Sequence, residues 1–155
     1  MTTEEERKKR KVVLTSGVFD LLHLGHVKFL EEAKKAGGRN AELIVIVARD
    51  GTVEKRKGKK PIMPENQRRA LVESLKVVDE AMLGYEEFDV GKVVEKIKPD
   101  IIVVGYDQEG MEQTVRDYIK EKGLTIKVVK IGKFGEDELD SSSKIKQKIV
   151  EHFKR

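Results

Sequence analysis

The stretch Val12-Val13-Leu14-Thr15-Ser16-Gly17-Val18-Phe19-Asp20-Leu21-Leu22-His23-Leu24-Gly25-His26 holds two of the chain's three histidines. Val12 to Thr15 is short, β-branched and apolar, the mark of a buried strand. After His26, the residues Val27, Leu30 and Ala33 recur at helical spacing until Gly37-Gly38 stops the pattern. The intervening segment is therefore a strand-to-helix turn. A helix opening there directs unpaired N–H groups and the positive end of its dipole above the strand, an arrangement that suits a phosphate. Gly17 would admit a ligand close to the backbone, and Gly25 would let the turn pack between the two imidazoles. The expected product is a phosphate site with two added side-chain donors, His23 and His26.

Outward from this turn, strand and helix signals alternate. Leu43–Val47 is a continuous apolar run, as in a strand buried on both faces. Pro64 can enter the first turn of a helix whose stripe is Ala70, Leu71, Leu75 and Val78. A weak third strand covers Ala81–Leu83, and Val90, Val93, Val94 and Ile97 form a short helix closed by Pro99. Ile101–Val104 is the clearest strand. A helix over Met111–Lys122 stops at Gly123, a fifth strand covers Thr125–Ile131, and a last helix runs from Ser141 to Phe153. Five strands separated by helices predict an α/β fold, with a doubly wound parallel sheet and helices on both faces. Ligands then bind beyond the C-terminal strand ends, where the strand order reverses. If strands one and four meet there, Gly105-Tyr106-Asp107 faces the same crevice as the histidines.

Composition bounds the function. The chain has 155 residues, expected to form one domain over 12–155 after a polar, flexible lead-in at 1–11. A domain of this size buries about 70% of its unfolded surface. A charged fraction of 39% with no cysteine and no tryptophan suits a heat-adapted cytoplasmic protein. Without cysteine there is no disulfide framework and no thiolate metal site. No apolar stretch approaches the ~20 residues that cross a membrane, and the N-terminus lacks the apolar run of a secretory signal. The net charge of +4 conceals Lys55, Arg56, Lys57, Lys59 and Lys60 around Gly58, which read as a basic loop. No stacking aromatics interleave with them, so a nucleic-acid partner is not expected.

The pattern G-x-F-D-x-x-H-x-G-H after a first strand resembles the signature of the cytidylyltransferase-like nucleotidyltransferases. The likeness extends to Lys57-Gly58-Lys59-Lys60-Pro61, to Pro64-Glu65-Asn66-Gln67-Arg68-Arg69, to Gly105-Tyr106-Asp107 and to Ser141-Ser142-Ser143-Lys144. It covers nearly the whole chain and implies the Rossmann-like nucleotidyltransferase fold. Within that family, Val47-Ala48-Arg49-Asp50-Gly51-Thr52-Val53 and the Lys57–Glu65 wording look most like archaeal FAD synthases, which transfer AMP from ATP to FMN. The alternative is a CTP-dependent cytidylyltransferase acting on glycerol 3-phosphate or a similar polyol or sugar phosphate. Those enzymes carry an Arg-Thr-Glu-Gly element where this chain has the acidic Glu136-Asp137-Glu138-Leu139-Asp140. Archaeal FAD synthases carry cysteines near the same segment, and here there are none.

The resemblance also implies roles. His23, His26 and Lys59 would act on the transferring phosphoryl group, without a covalent intermediate. Gly17, Val18, Phe19, Asp20, Leu24, Gly25, Lys57, Arg68, Gly105, Asp107, Ser141, Ser142 and Ser143 would line the nucleotide and acceptor sites. Arg68 would fork onto a phosphate. Asp20 would orient the histidine turn, and Asp107 would either cap its loop or bond the nucleotide. Ser141 suits an N-cap, which is compatible with phosphate contact. Only one of Arg68 and Arg69 can point inward, and His152 is expected at the surface. Mg²⁺ would accompany the triphosphate, with no metal site built from protein ligands. The flavin ring would lie near Phe134. A homodimer with small-molecule substrates is expected, with no membrane partner. Two other classes compete: a nucleotide sensor, which calls for a broken motif, and a fragment of a class I aminoacyl-tRNA synthetase, which would need room for tRNA-binding modules.

Overall fold

The computed structural model describes Glu4, residues 10–133 and residues 141–154. Its elements run β1 (Val12–Gly17), α1 (Leu24–Ala36), β2 (Glu42–Val47), α2 (Asp50–Lys57), α3 (Glu65–Glu73) and β3 (Glu80–Leu83). They continue with α4 (Val90–Ile97), β4 (Ile101–Gly105), α5 (Glu109–Lys122), β5 (Lys127–Ile131) and α6 (Ser142–His152). The sheet is parallel throughout, in the order β3-β2-β1-β4-β5. The order reverses between β1 and β4, where Val13, Leu14 and Thr15 pair with Ile101, Ile102 and Val103. The buried Thr15 hydroxyl donates to the Val103 carbonyl at 2.8 Å, an added tie across this junction.

Period-two alternation divides the strands between two cores. Val13, Leu43, Val45 and Val103 meet Leu30 and Ala33 of α1 and Val72 of α3. Leu14, Ile44, Ile102 and Val104 meet Val94 of α4 and Val115 of α5 on the other face. Every residue of β4 is buried, which explains the unbroken apolar run that made it the clearest strand.

Two expectations change. The basic run is not one loop: Lys55, Arg56 and Lys57 form the last turn of α2, closed by Gly58 at φ 81°. Glycine enters this left-handed region without strain, and the Gly58 N–H bonds the Glu54 carbonyl at 2.8 Å. This helix buries only Val53, so it carries no apolar stripe to announce it. The stripe of α3 is also rotated. Arg68 and Val72 are fully buried, whereas Ala70 and Leu71 are exposed and the helix ends before Leu75. An ionic partner for Arg68 lets a charged residue take the core position.

Candidate active site

The turn between β1 and α1 is tightly wound. Phe19 and Leu21 both adopt left-handed backbone, φ 55° and 50°, at a cost of about 1–2 kcal/mol each. The Phe19 ring swings back over β1, and a Cβ on Gly17 would stand 2.8 Å from it. Packing of the Phe19 ring is thus a reason of the protein's own for glycine at 17, beside its place in the cavity wall. The Phe19 side chain then supports His26 edge-to-face, with centroids 5.3 Å apart.

His23 and His26 stack at 3.7 Å between centroids, with 25° between their planes. The backbone N–H of His23 donates to His26 Nδ1 at 3.2 Å. That bond makes Nδ1 an acceptor and leaves the imidazole proton on Nε2. Burial lowers the His26 pKa from 6.5 to about 3; the neighbouring His23 adds to the shift, and Asp20 opposes it. His26 is thus a neutral donor at ordinary pH. His23 caps α1, whose helical turn begins with bonds from His26 and Val27 to the His23 carbonyl. The imidazoles and the helix start together face a cavity of about 760 Å³ at the reversal point.

Asp20 does more than orient the turn. Its two carboxylate oxygens accept the N–H groups of Ile62 at 2.8 Å and Met63 at 2.9 Å. Lys146 of α6 lies 3.8 Å from the same carboxylate, and Ser142 Oγ donates to the Asp20 carbonyl at 2.5 Å. One residue thereby ties the histidine turn to the segment after the lysines and to the last helix.

The cavity collects most of the expected residues. Gly17, Val18, Phe19, Asp20, Gly25, Lys57, Lys59, Gly105 and Asp107 line it with the two histidines. Ser141, Ser142 and Ser143 approach from α6, where Ser141 Oγ also N-caps the helix by accepting from the Lys144 N–H. Leu24 is not among the walls; as the first helical residue it is half-exposed. Arg68 is a correction too. Its guanidinium is fully buried and donates to the carbonyls of Met63, Val18 and Ala48, and to Asp50 at 2.6 Å. Four of its five N–H groups are thus spent within the protein, so it holds the cavity wall instead of forking onto a phosphate. Arg69, half-exposed, pairs with Glu73 at 3.1 Å. Phe134 and the acidic segment 136–140 lie outside the described residues.

Sequence reading missed Gln108. Its amide oxygen accepts the Gly105 N–H at 2.8 Å and its Nε2 donates to the Ser16 carbonyl at 3.1 Å. The side chain thereby fixes the exit of β4 against the end of β1. Arg49, quoted only within the Val47–Val53 likeness and given no role there, lines the cavity, donates to the Gly84 carbonyl at 2.6 Å and pairs with Glu65 at 3.1 Å. A lone glutamine carries no motif, and only the placement of β1 beside β4 brings the Ser16 carbonyl within its reach. Among the described residues no group of three acidic or histidine side chains is placed to cage a metal ion, and no helix is long and apolar enough to cross a membrane.

The cytidylyltransferase-like family model matches residues 14–148. The chain is 50% identical over 139 residues to an FAD synthase of Aciduliprofundum boonei, covering 90% of each chain. It is 51% identical over 140 residues to an FAD synthase of Ferroglobus placidus, covering 90% of this chain and 88% of the relative. A solved structure from Thermoplasma volcanium, described as a lipopolysaccharide core biosynthesis protein, superposes with a TM-score of 0.71 at 49% identity. It covers 80% of this chain and 98% of its own. A histidine pair at a helix start, a cationic rim and a serine-rich second helix start suit the transfer of a nucleotidyl group, and with these likenesses they make the chain a nucleotidyltransferase of the cytidylyltransferase-like family.

Proposed function

We propose that the protein transfers AMP from ATP to FMN, giving FAD and pyrophosphate. The FMN phosphate oxygen attacks the α-phosphorus of ATP, a new P–O bond forms, and the bond to the bridging α–β oxygen breaks. Both reactants are anions, so the chain's task is to hold them in line and to neutralise charge on the α-phosphoryl and leaving groups. The observation that carries this reading is the neutral, Nε2-protonated His26, stacked on His23 at the start of α1. A neutral imidazole donates to a phosphoryl oxygen without depending on its own protonation across the physiological range. Lys59 and Lys60 follow the Gly58 turn on the rim, where a flexible ammonium can follow the charge onto pyrophosphate. The amides at the start of α6 and the hydroxyls of Ser141 and Ser143 add donors for the triphosphate. Magnesium fits as a passenger of the triphosphate: it keeps most of its waters and needs one or two carboxylates at most, and Asp89 and Asp107 stand in the cavity wall.

ATP and FMN rather than CTP and a polyol phosphate follow from the names of the relatives at half identity. A pyrophosphate-release screen pairing ATP and CTP with FMN, glycerol 3-phosphate and sugar 1-phosphates tests the choice. Release with ATP and FMN is the expected result. Release confined to CTP with glycerol 3-phosphate would overturn it.

A further inference from the structure

The two central strands part at their C-terminal ends. β1 and β4 pair with each other only as far as Thr15 and Val103. On their outer sides both run on, β1 beside β2 to Gly17 and Val47, and β4 beside β5 to Gly105 and Ile131. Ser16, Gly17, Gly105 and Gln108 border this fork, and all four line the cavity. Strands that part leave backbone donors and acceptors without their ladder partners, and such groups must be satisfied by other means. Here the Gln108 carboxamide spans the gap. Its Oε1 accepts the Gly105 N–H at 2.8 Å, and its Nε2 donates to the Ser16 carbonyl at 3.1 Å. The Gln108 backbone N–H also donates to the Gly105 carbonyl at 3.1 Å, and the Gln108 carbonyl accepts from Glu112 at 2.8 Å in the first turn of α5. The side chain is chemically a peptide group, acceptor at one end and donor at the other, set as one added rung across the fork.

Both ends of this rung bear on the start of α1. Ser16 precedes Gly17, against which the Phe19 ring packs, and Phe19 supports His26 edge-to-face. Gly105 lies against Phe29 of α1, three residues beyond His26: a Cβ at 105 would stand 3.6 Å from the Phe29 ring. The same Cβ would stand 3.1 Å from an Asp107 carboxylate oxygen, so the acid after β4 is folded back over the point that Gln108 holds. We propose that Gln108 is a positioning residue for nucleotidyl transfer, setting the width of the fork and through it the place of His26 opposite Asp107. The proposal rests on transfer at the histidine turn and is indifferent to the acceptor. A donor acts on the phosphoryl group only where it is preorganised, and a displacement of about 1 Å from a change outside the reacting centre costs on the order of 10²-fold. Only a carboxamide of this length serves both strands. Leucine offers neither bond, asparagine is one methylene short, and an ionised glutamate would turn an acceptor toward the Ser16 carbonyl.

Steady-state kinetics of Gln108→Leu and Gln108→Glu at pH 8 test this role. The assay uses whichever donor and acceptor the parent turns over in the pyrophosphate-release screen, so a wrong choice of substrates shows there and leaves the test of Gln108 standing. Gln108→Leu removes both side-chain bonds and should lower kcat by ~10–10²-fold. The KM for the nucleotide, and the calorimetric affinity for its unreactive α,β-methylene analogue with magnesium, should stay within about threefold. Gln108→Glu keeps an acceptor for the Gly105 N–H but has no donor for Ser16, and its kcat should fall as far. Losing two neutral hydrogen bonds lowers the melting temperature by about 4–8 °C, and thermal unfolding checks that both variants are folded at the assay temperature. Added to His26→Ala, Gln108→Leu should cost less than about threefold, because the donor that it positions is already gone. Near-parent kcat in Gln108→Leu would overturn the proposal. Near-parent kcat in Gln108→Glu alone would confine the role to Gly105 and overturn the link between the strands. A raised KM with kcat unchanged would make Gln108 a binding group, and a full further loss in the His26→Ala background would sever it from the histidine turn. A parent without turnover on any pair would overturn the proposal together with the transfer it serves.

Discussion

Replacing Arg68 by methionine separates a strut from a ligand. Methionine keeps much of the volume and removes all four protein hydrogen bonds that the guanidinium makes. The Asp50 carboxylate loses its 2.6 Å partner, and three carbonyls near the cavity lose a donor. Breaking a buried ion pair by deleting one partner costs about 3–5 kcal/mol. Asp50 keeps 25% of its side-chain surface in water, which places the cost near the lower end, about 3 kcal/mol. For a chain of this length each kcal/mol lowers the melting temperature by about 2–4 °C, so a drop of about 10 °C is expected. Thermal unfolding followed by circular dichroism measures it. Adding Asp50→Asn should recover part of the loss, because the uncompensated carboxylate is then gone. The affinity for α,β-methylene-ATP, measured well below the melting temperature, should change little. An Arg68→Met variant as stable as the parent but more than tenfold weaker for the analogue would refute the strut and restore the phosphate fork.

The histidine pair and the lysines give further tests. His23→Ala and His26→Ala should each lower turnover by ~10²–10³ in steady-state assays, the scale of losing one preorganised transition-state donor; near-normal turnover would remove them from the reacting centre. Lys59→Ala should reduce kcat more than it raises the KM for ATP, since a mobile cation matters most as charge moves onto pyrophosphate. Acidification supplies a fourth. Because the folded His26 has its pKa lowered to about 3, the unfolded chain binds a proton at this site below the ordinary 6.5 while the folded chain does not. Its contribution to stability is therefore intact above 6.5 and falls by about 1.4 kcal/mol per pH unit toward 3. Urea unfolding from pH 7 to 4 should show a shallower decline in His26→Gln than in the parent; equal slopes would contradict a buried neutral imidazole.

The parallel sheet and the turn were legible because their signals are local. β2 and β4 are apolar runs buried on both faces, and the histidines sit at fixed offsets from the end of β1. What escaped depends on partners distant in the chain. Arg68 reads as a phosphate ligand until the carbonyls of Val18 and Ala48, 50 and 20 residues away, are seen to claim it. Helix α2 has a single buried residue and no periodic stripe, so its basic last turn reads as loop. The aromatic part of the cavity rim is invisible because Tyr85, Phe88 and Tyr106 come from two different strand exits. Their shared place at the cavity mouth is a product of topology, with β3 and β4 separated in the sheet by β2 and β1.

Label transfer tests the central claim most directly. ATP labelled at the α-phosphate is incubated with FMN, magnesium and the protein, and the products are separated by chromatography. Adenylyl transfer predicts that the label moves into FAD, with one pyrophosphate released per FAD formed. With an α-phosphorothioate of ATP, direct attack by the FMN phosphate predicts inversion at phosphorus. Absence of labelled FAD under conditions where CTP and glycerol 3-phosphate react would contradict the assigned substrates, and retention of configuration would contradict the direct transfer.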